Sequence, residues 1–231
     1  IENCIKEHSA VMDKYDPKKR VALMVDEWGT WWDEEPGTIR GHLYQQNTMR
    51  DAFVAALSLN VFHKYTDRIK MANIAQIANV LQSMILTKDD KMVLTPSYYV
   101  FQMYNVHQDA TYLPIEVQGE NKQVRARMGQ DGEQRTLPML GATASKAQDG
   151  AVHISLSNVD LENSNEVTVD LSGLGMKSVA GRILTCKAIT DKNTFEQPDV
   201  VKPADFKGAK LKNGKLTVKM PPMSIVALEL R

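Results

Sequence analysis

Apolar and polar positions follow two rules along this chain. Up to about residue 108, apolar residues recur at helical spacing, interrupted by short apolar runs bounded by charge; beyond it they alternate. Ile1, Ile5, Val11 and Met12 mark a helix over 1–14, ending before Asp16-Pro17 because proline disfavours helical backbone in the residue ahead of it. Val21 to Val25, with Lys18, Lys19 and Arg20 before it and Asp26 and Glu27 after it, reads as a strand buried on both faces, as in a parallel sheet. Residues 33–38 form a polar loop with a Pro-Gly turn. Leu43, Met49, Phe53, Leu57 and Val61 make one stripe of a long helix over 43–63, and a second strand is expected over 67–75. Ile77, Val80, Leu81, Met84 and Ile85 return to helical spacing, 87–90 is a turn, and Pro96 opens a helix over 97–107.

After Asp109 the segments shorten. Strands are expected at 111–117, 124–128, 137–144, 151–158, 165–170, 178–185, 215–220 and 224–230. Turn signals separate them at Gly119-Glu120-Asn121, Asp131-Gly132, Asp149-Gly150, Gly173–Gly175 and Asn213-Gly214. The runs at 153–157 and 166–170 alternate with one face in and one face out, which puts His153 toward solvent. That spacing of strands argues for an antiparallel sandwich. The chain is therefore expected to be α/β plus all-β, divided into 1–108 and 109–231. Two parallel strands with their helices cannot close a barrel and leave edges bare. Residues 1–108 thus read as the last portion of a larger α/β domain.

Composition narrows the function classes. Lys+Arg and Asp+Glu both number 28 in 231 residues, so the formal charge is zero. A dedicated nucleic-acid or acidic-membrane binder would carry a basic excess. No apolar stretch reaches the ~18 residues that span a bilayer. Cys4 and Cys186 read as two free thiols, nothing has zinc-ligand spacing, and no metal or organic cofactor is implied.

The chemistry concentrates in Asp26-Glu27-Trp28-Gly29-Thr30-Trp31-Trp32. Carboxylates and aromatics at the C-terminal end of a parallel strand are where barrel enzymes keep their catalysts. The functional reading is a carboxylate catalyst beside a sugar-stacking aromatic floor; the structural alternative is an acidic loop whose tryptophans fill a crevice. Arg50 and Asp51 read as solvated or locally paired charge. Gln76, past the second strand, reads on its own as a backbone hydrogen-bond partner.

Three separated motifs carry a family resemblance: residues 25–29 (Val-Asp-Glu-Trp-Gly), 43–52 (Leu-Tyr-Gln-Gln-Asn-Thr-Met-Arg-Asp-Ala) and 67–76 (Asp-Arg-Ile-Lys-Met-Ala-Asn-Ile-Ala-Gln). In this order they resemble the C-terminal half of the α-L-arabinofuranosidases of glycoside hydrolase family 51, and residues 220–230 are similar to that family's final strand. The resemblance covers essentially the whole chain. It implies the C-terminal portion of a (β/α)8 TIM barrel over 1–108, with strands seven and eight. An antiparallel jelly-roll-type β-sandwich would follow over 109–231. It implies a retaining exo-hydrolase acting on terminal arabinofuranosyl residues of arabinan, arabinoxylan or arabino-oligosaccharides. By the match, Glu27 is the nucleophile, Gln76 hydrogen-bonds the sugar, Trp31 stands near the mouth of the site, and Asp26 supports. The family's acid/base glutamate falls ahead of residue 1. This chain alone is therefore expected to be an inactive fragment whose partner is the N-terminal portion of the same protein, and the relatives are often homo-oligomers. A non-catalytic carbohydrate-binding or assembly module, and a retaining barrel glycosidase of other specificity such as a xylosidase, remain the alternatives.

Overall fold

Helix α1 (Glu2–Tyr15) buries Ile5 and ends at Asp16, whose backbone N–H returns to the Met12 carbonyl. In this computed structural model, residues 1–118, 123–128 and 133–231 are described, with 123–128 and 133–137 as backbone. The turns expected at Gly119-Glu120-Asn121 and Asp131-Gly132 lie outside the described residues. The chain divides into two units, Ile1–Gln102 with Ile189–Lys202, and Met103–Ala188 with Pro203–Arg231. The division thus falls a few residues before 108, and a segment from late in the chain belongs to the first unit.

In the first unit, β1 (Leu23–Trp28) runs to α2 (Met49–Lys64) and then to β2 (Ile69–Ile74), which pairs with β1 in parallel. A parallel pair needs a long crossover, and α2 supplies it. Met24 and Met71 face each other across the pair and are 47% and 43% exposed. The strand expected to be buried on both faces is therefore covered on one face. Arg68, fully buried just before β2, ties the start of the pair to the end of α1. Its guanidinium donates to Asp16 Oδ2 at 3.0 Å, to the Val21 carbonyl at 2.8 Å and to Asp13.

Helix α2 starts six residues later than the apolar stripe suggested. Leu43 has φ 55° and sits in the preceding loop. The start is set by Thr48, whose hydroxyl accepts from the Arg50 N–H while the Asp51 carboxylate accepts from the Thr48 N–H. This reciprocal capping box satisfies donors that a helix leaves open at its first turn. The carbonyls of Asp191 and Ile189 take the Met49 and Arg50 N–H groups, so the late segment 189–202 also closes this end.

The helix expected across 77–85 does not form. Asn79 and Leu81 have φ 59° and 52°, and such left-handed backbone ends a right-handed helix. The Leu81 N–H is committed to the Leu43 carbonyl and Asn79 N–H to that of Ile85. Ile77 is exposed, Val80, Met84 and Ile85 are partly buried, and Leu81 is buried from an irregular loop. It leads into a hairpin of β3 (Ile85–Lys88) and β4 (Lys91–Leu94) around Asp89. Helix α3 (Pro96–Tyr104) opens at the expected proline and gives way to a 3-10 turn at Asn105–His107.

The second unit holds β5 (Thr111–Leu113), β6 (Gln123–Met128), β7 (Glu133–Pro138), β8 (Leu140–Lys146), β9 (Val152–Asn158), β10 (Asn165–Asp170), β11 (Val179–Thr185), β12 (Ala204–Asp205), β13 (Ala209–Lys212), β14 (Lys215–Met220) and β15 (Ser224–Leu230). A six-stranded sheet is ordered β12-β11-β15-β9-β8-β5, a three-stranded sheet β10-β14-β13, and β6 pairs with β7. All pairings in this unit are antiparallel. Leu156, Val226, Leu228 and Leu230 from the larger sheet and Leu216, Val218 and Met220 from the smaller share one core. One strand was expected over 137–144; two occur, because Pro138 has no N–H to continue a ladder and Met139 turns inward between them.

His153 does not face solvent. Every residue of β9 is buried, and His153 is 7% exposed. The polar face of β9 is covered by the turn at 105–107, where the His107 ring bridges the Ser145 and Ser155 hydroxyls at 2.7 and 2.8 Å. His153 Nε2 lies 3.5 Å from a Glu229 carboxylate oxygen. Alternation was read correctly as a strand, but a central strand is covered on both faces whatever the polarity of its residues.

One titration follows from α2. Burial pushes the His63 imidazole down to about 4 from 6.5. The unfolded chain then takes up this proton more readily than the folded one. The stabilisation is complete above about 6.5 and is lost as pH falls toward 4. The thermal midpoint is expected to drop between pH 6.5 and 4.5, and His63→Gln should flatten that slope. An unchanged slope in the variant would exclude His63 as its source.

Candidate active site

The end of β1 departs from regular pairing. Val25 opposes Ala72 and Trp28 opposes Ile74, so three steps on β1 meet two on β2. A bulge of this kind re-aims side chains. Asp26 and Glu27 fall inside it and are consecutively exposed, while Trp28 turns into the core. The Trp28 ring stacks on Phe101 at 6.0 Å and meets Phe62 edge-on at 5.1 Å. Trp28 is therefore a core residue rather than part of an aromatic floor.

Gly29 follows with φ 135°, a conformation that L side chains avoid, and the chain turns into Thr30-Trp31-Trp32. Trp31 is 68% exposed. Trp32 is held from three sides. Its N–H donates to Gln45 Oε1 at 2.7 Å, its indole Nε1 donates to Asp51 Oδ1 at 2.8 Å, and the Arg50 guanidinium lies 3.7 Å from its ring centroid. Beyond it, Glu34 accepts from the Gly41 and Leu43 N–H groups at 2.7 and 2.8 Å, which folds the polar loop on itself.

Asp51, expected as solvated or locally paired charge, is locally paired with Arg50 and Thr48 but is not solvated: it is a buried hub, 2% exposed. Besides Trp32 it faces the Thr30 hydroxyl at 2.9 Å, the Thr48 N–H at 2.9 Å, the Thr48 hydroxyl at 3.2 Å and Arg50 at 3.2 Å. One carboxylate therefore caps α2 and pins the loop that follows Glu27. The Thr48-x-x-Asp51 spacing is the sequence signal that could have found it.

Gln76 lies two residues past β2, exposed, after a cis Ala75–Gln76 peptide bond. The Ala75 N–H donates to the Trp28 carbonyl at 3.0 Å, which extends the pairing of the strands to this point. Glu27 and Gln76 thus stand at the same ends of adjacent parallel strands. Among the described residues neither makes a side-chain hydrogen bond or ion pair. The backbone-bonding role expected for a glutamine at this strand end is taken by Gln82, which nothing in the sequence marked. An unpaired carboxylate and an unpaired amide at neighbouring strand ends supply a nucleophile or base and a group that both donates and accepts hydrogen bonds. Among the described residues no three His, Cys, Asp or Glu converge to hold a metal.

Residues 26–224 match the family model described as the alpha-L-arabinofuranosidase C-terminal domain. The chain is 62% identical over 231 residues to an intracellular exo-alpha-L-arabinofuranosidase of Bacteroides ovatus, covering all of this chain and 44% of that protein. The crystal structure of the GH51 arabinofuranosidase from Xanthomonas axonopodis pv. citri is similar at a TM-score of 0.92 and 49% identity, over 100% of this chain and 45% of that one. The GH51 enzyme from Thermotoga petrophila, at 24% identity and a TM-score of 0.81, covers 100% of this chain and 48% of its own and shares the fold. The chain spans less than half the length of each of these relatives. Matched by the family model over most of its length, the chain belongs to the α-L-arabinofuranosidase C-terminal domain family.

Proposed function

We propose that this chain is the C-terminal part of a retaining exo-acting α-L-arabinofuranosidase, with Glu27 as the nucleophile. The observation that carries the reading is the unpaired Glu27 carboxylate turned out by the bulge, at the same strand ends as the unpaired Gln76 amide. In this reading residues 1–108 complete a (β/α)8 barrel as its strands seven and eight. Residues 109–231 carry a jelly-roll-type sandwich. The remaining barrel and the acid/base glutamate come from an N-terminal portion of the same protein. Terminal arabinofuranosyl groups of arabinan, arabinoxylan or arabino-oligosaccharides are the substrates.

The chemistry then runs in two displacements. A Glu27 oxygen attacks the anomeric carbon as the glycosidic C–O bond breaks, and the external acid gives its proton to the leaving oxygen. Water, deprotonated by the same group, then cleaves the glycosyl ester and frees Glu27. Gln76 would grip ring hydroxyls through its carbonyl and its amide N–H, and Trp31 offers an apolar face to sugar C–H groups.

A polypeptide joining this chain to the N-terminal portion is expected to release 4-nitrophenol from 4-nitrophenyl α-L-arabinofuranoside. The chain alone should fall short by at least ~10²–10⁴-fold, the usual contribution of a general acid. Equal rates from both would remove the external proton donor, and no release from either would remove the activity.

A further inference from the structure

We infer that Gln82 is a positioning residue that fixes the spacing of Glu27 and Gln76. The inference rests on the reading above. Gln82 sits on the irregular loop after β2, a few residues past Gln76 and far in sequence from Glu27, and is 3% exposed. Its carboxamide is wedged between the two strand ends. Nε2 donates to the Trp28 carbonyl at 3.3 Å and to the Ala75 carbonyl. Oε1 accepts from the Thr30 N–H and faces the Thr30 hydroxyl at 2.9 Å. The orientation of the amide is fixed by its partners: a backbone N–H can only donate and carbonyls can only accept.

Those partners are neighbours of the chemistry. Trp28 follows Glu27, Ala75 precedes Gln76, and Thr30 begins the loop carrying Trp31. One side chain therefore holds the backbone just after the proposed nucleophile, at Trp28 and Thr30, and the residue before the proposed sugar ligand. Ladder pairing is interrupted at Asp26 and Glu27 and resumes with the Ala75 N–H on the Trp28 carbonyl, and Gln82 adds the tie from those strand ends to the Thr30 loop. Gly29 completes the arrangement: a Cβ there would collide with the Gln82 amide itself. The missing side chain at 29 and the long amide at 82 occupy one space.

Reacting groups must be held to within a fraction of an ångström, and a 1 Å displacement can cost on the order of 10²-fold. The test uses the full-length polypeptide and a 2-fluoro-arabinofuranosyl reagent that forms a long-lived ester with the nucleophile. Mass spectrometry locates the ester and the trapping rate reports the first displacement. Gln82→Met, which keeps the bulk and loses every polar contact, is expected to lower the thermal midpoint and, in protein still folded at the assay temperature, to slow trapping at Glu27 about 10²-fold. Gln82→Glu keeps the acceptor for Thr30 and removes the donor to the carbonyls. It should also slow trapping, and it provides the measurement if the methionine variant does not fold. Gly29→Ala should slow trapping as well, and by a smaller factor when made in a Gln82→Ala background, where the amide it would strike is gone.

Trapping at Glu27 at the unsubstituted rate in a folded Gln82→Met or Gln82→Glu protein overturns the positioning role and leaves Glu27 as nucleophile. An ester on another residue, or none in the unsubstituted protein, overturns the functional reading and the inference with it.

Discussion

Glu27→Gln, made in a polypeptide that carries the N-terminal portion, is expected to lower kcat by about 10⁴–10⁶-fold, the scale of loss when a covalent nucleophile is removed. The thermal midpoint should hold. Glu27 is exposed within the bulge and has no side-chain partner among the described residues, and surface substitutions of that kind usually fall within about 0.5 kcal/mol. Loss of activity without loss of stability separates a chemical role from a structural one. Asp26 supplies the internal control, since it lies next to Glu27, is exposed in the same irregularity and carries the same charge. If general negative potential at the strand end were the working feature, Asp26→Asn and Glu27→Gln would cost about the same. If a covalent ester forms, Glu27→Gln alone is ruinous. Activity of the Glu27→Gln protein within tenfold of the unsubstituted one would take the nucleophile elsewhere.

The sequence exposed what local rules determine. The proline at 96 opened a helix, the proline at 17 followed the end of one, and the alternation at 165–170 matched a half-buried strand. The strand around residues 23–25 was legible because a short apolar run bounded by charge marks one, while the roles given to Asp26 and Glu27 rest on the family resemblance. Contacts that close over long sequence distances were not legible. The burial of Asp51 was hidden because, beside its local partners Thr48 and Arg50, it takes Thr30 and Trp32 from a loop about twenty residues earlier. Gln82 was hidden inside a run of apolar residues at helical spacing, whose period arose by coincidence with an irregular loop. His153 was misplaced for a related reason. Alternation reports that one face is polar, and only the turn at 105–107 decides whether that face meets water or His107. Segment 189–202 gave no periodic signal because its work is done by backbone carbonyls and by Asn193, whose amide donates to the Leu94 and Val201 carbonyls at 2.9 Å each.

Asp51→Ala should be the most destabilising change near the site. Five donor groups converge on this carboxylate, from Thr30, Trp32, Thr48 twice and Arg50. Alanine leaves those near the core without an acceptor, and a buried donor left unsatisfied typically costs about 1–3 kcal/mol. The individual bonds do not add, because Thr30 can turn to Gln82 and Thr48 can still cap α2 through its own hydroxyl. Urea unfolding of the chain should show a midpoint shift of that size with an unchanged slope. All three tryptophans of this chain lie within residues 28–32, so their fluorescence reports on the end of β1 and this loop. Release of the Trp32 indole from Asp51 should shift the emission to longer wavelength before any unfolding begins. Asp51→Asn divides the two jobs. Its amide oxygen can still accept from the Trp32 indole, but its NH₂ would then face the Thr48 N–H, donor against donor. That variant should keep most of the native emission and lose stability through the cap. A cost below about 1 kcal/mol for Asp51→Ala, the scale of an ordinary cap, would reduce Asp51 to a helix cap and release the loop after Glu27 from its control.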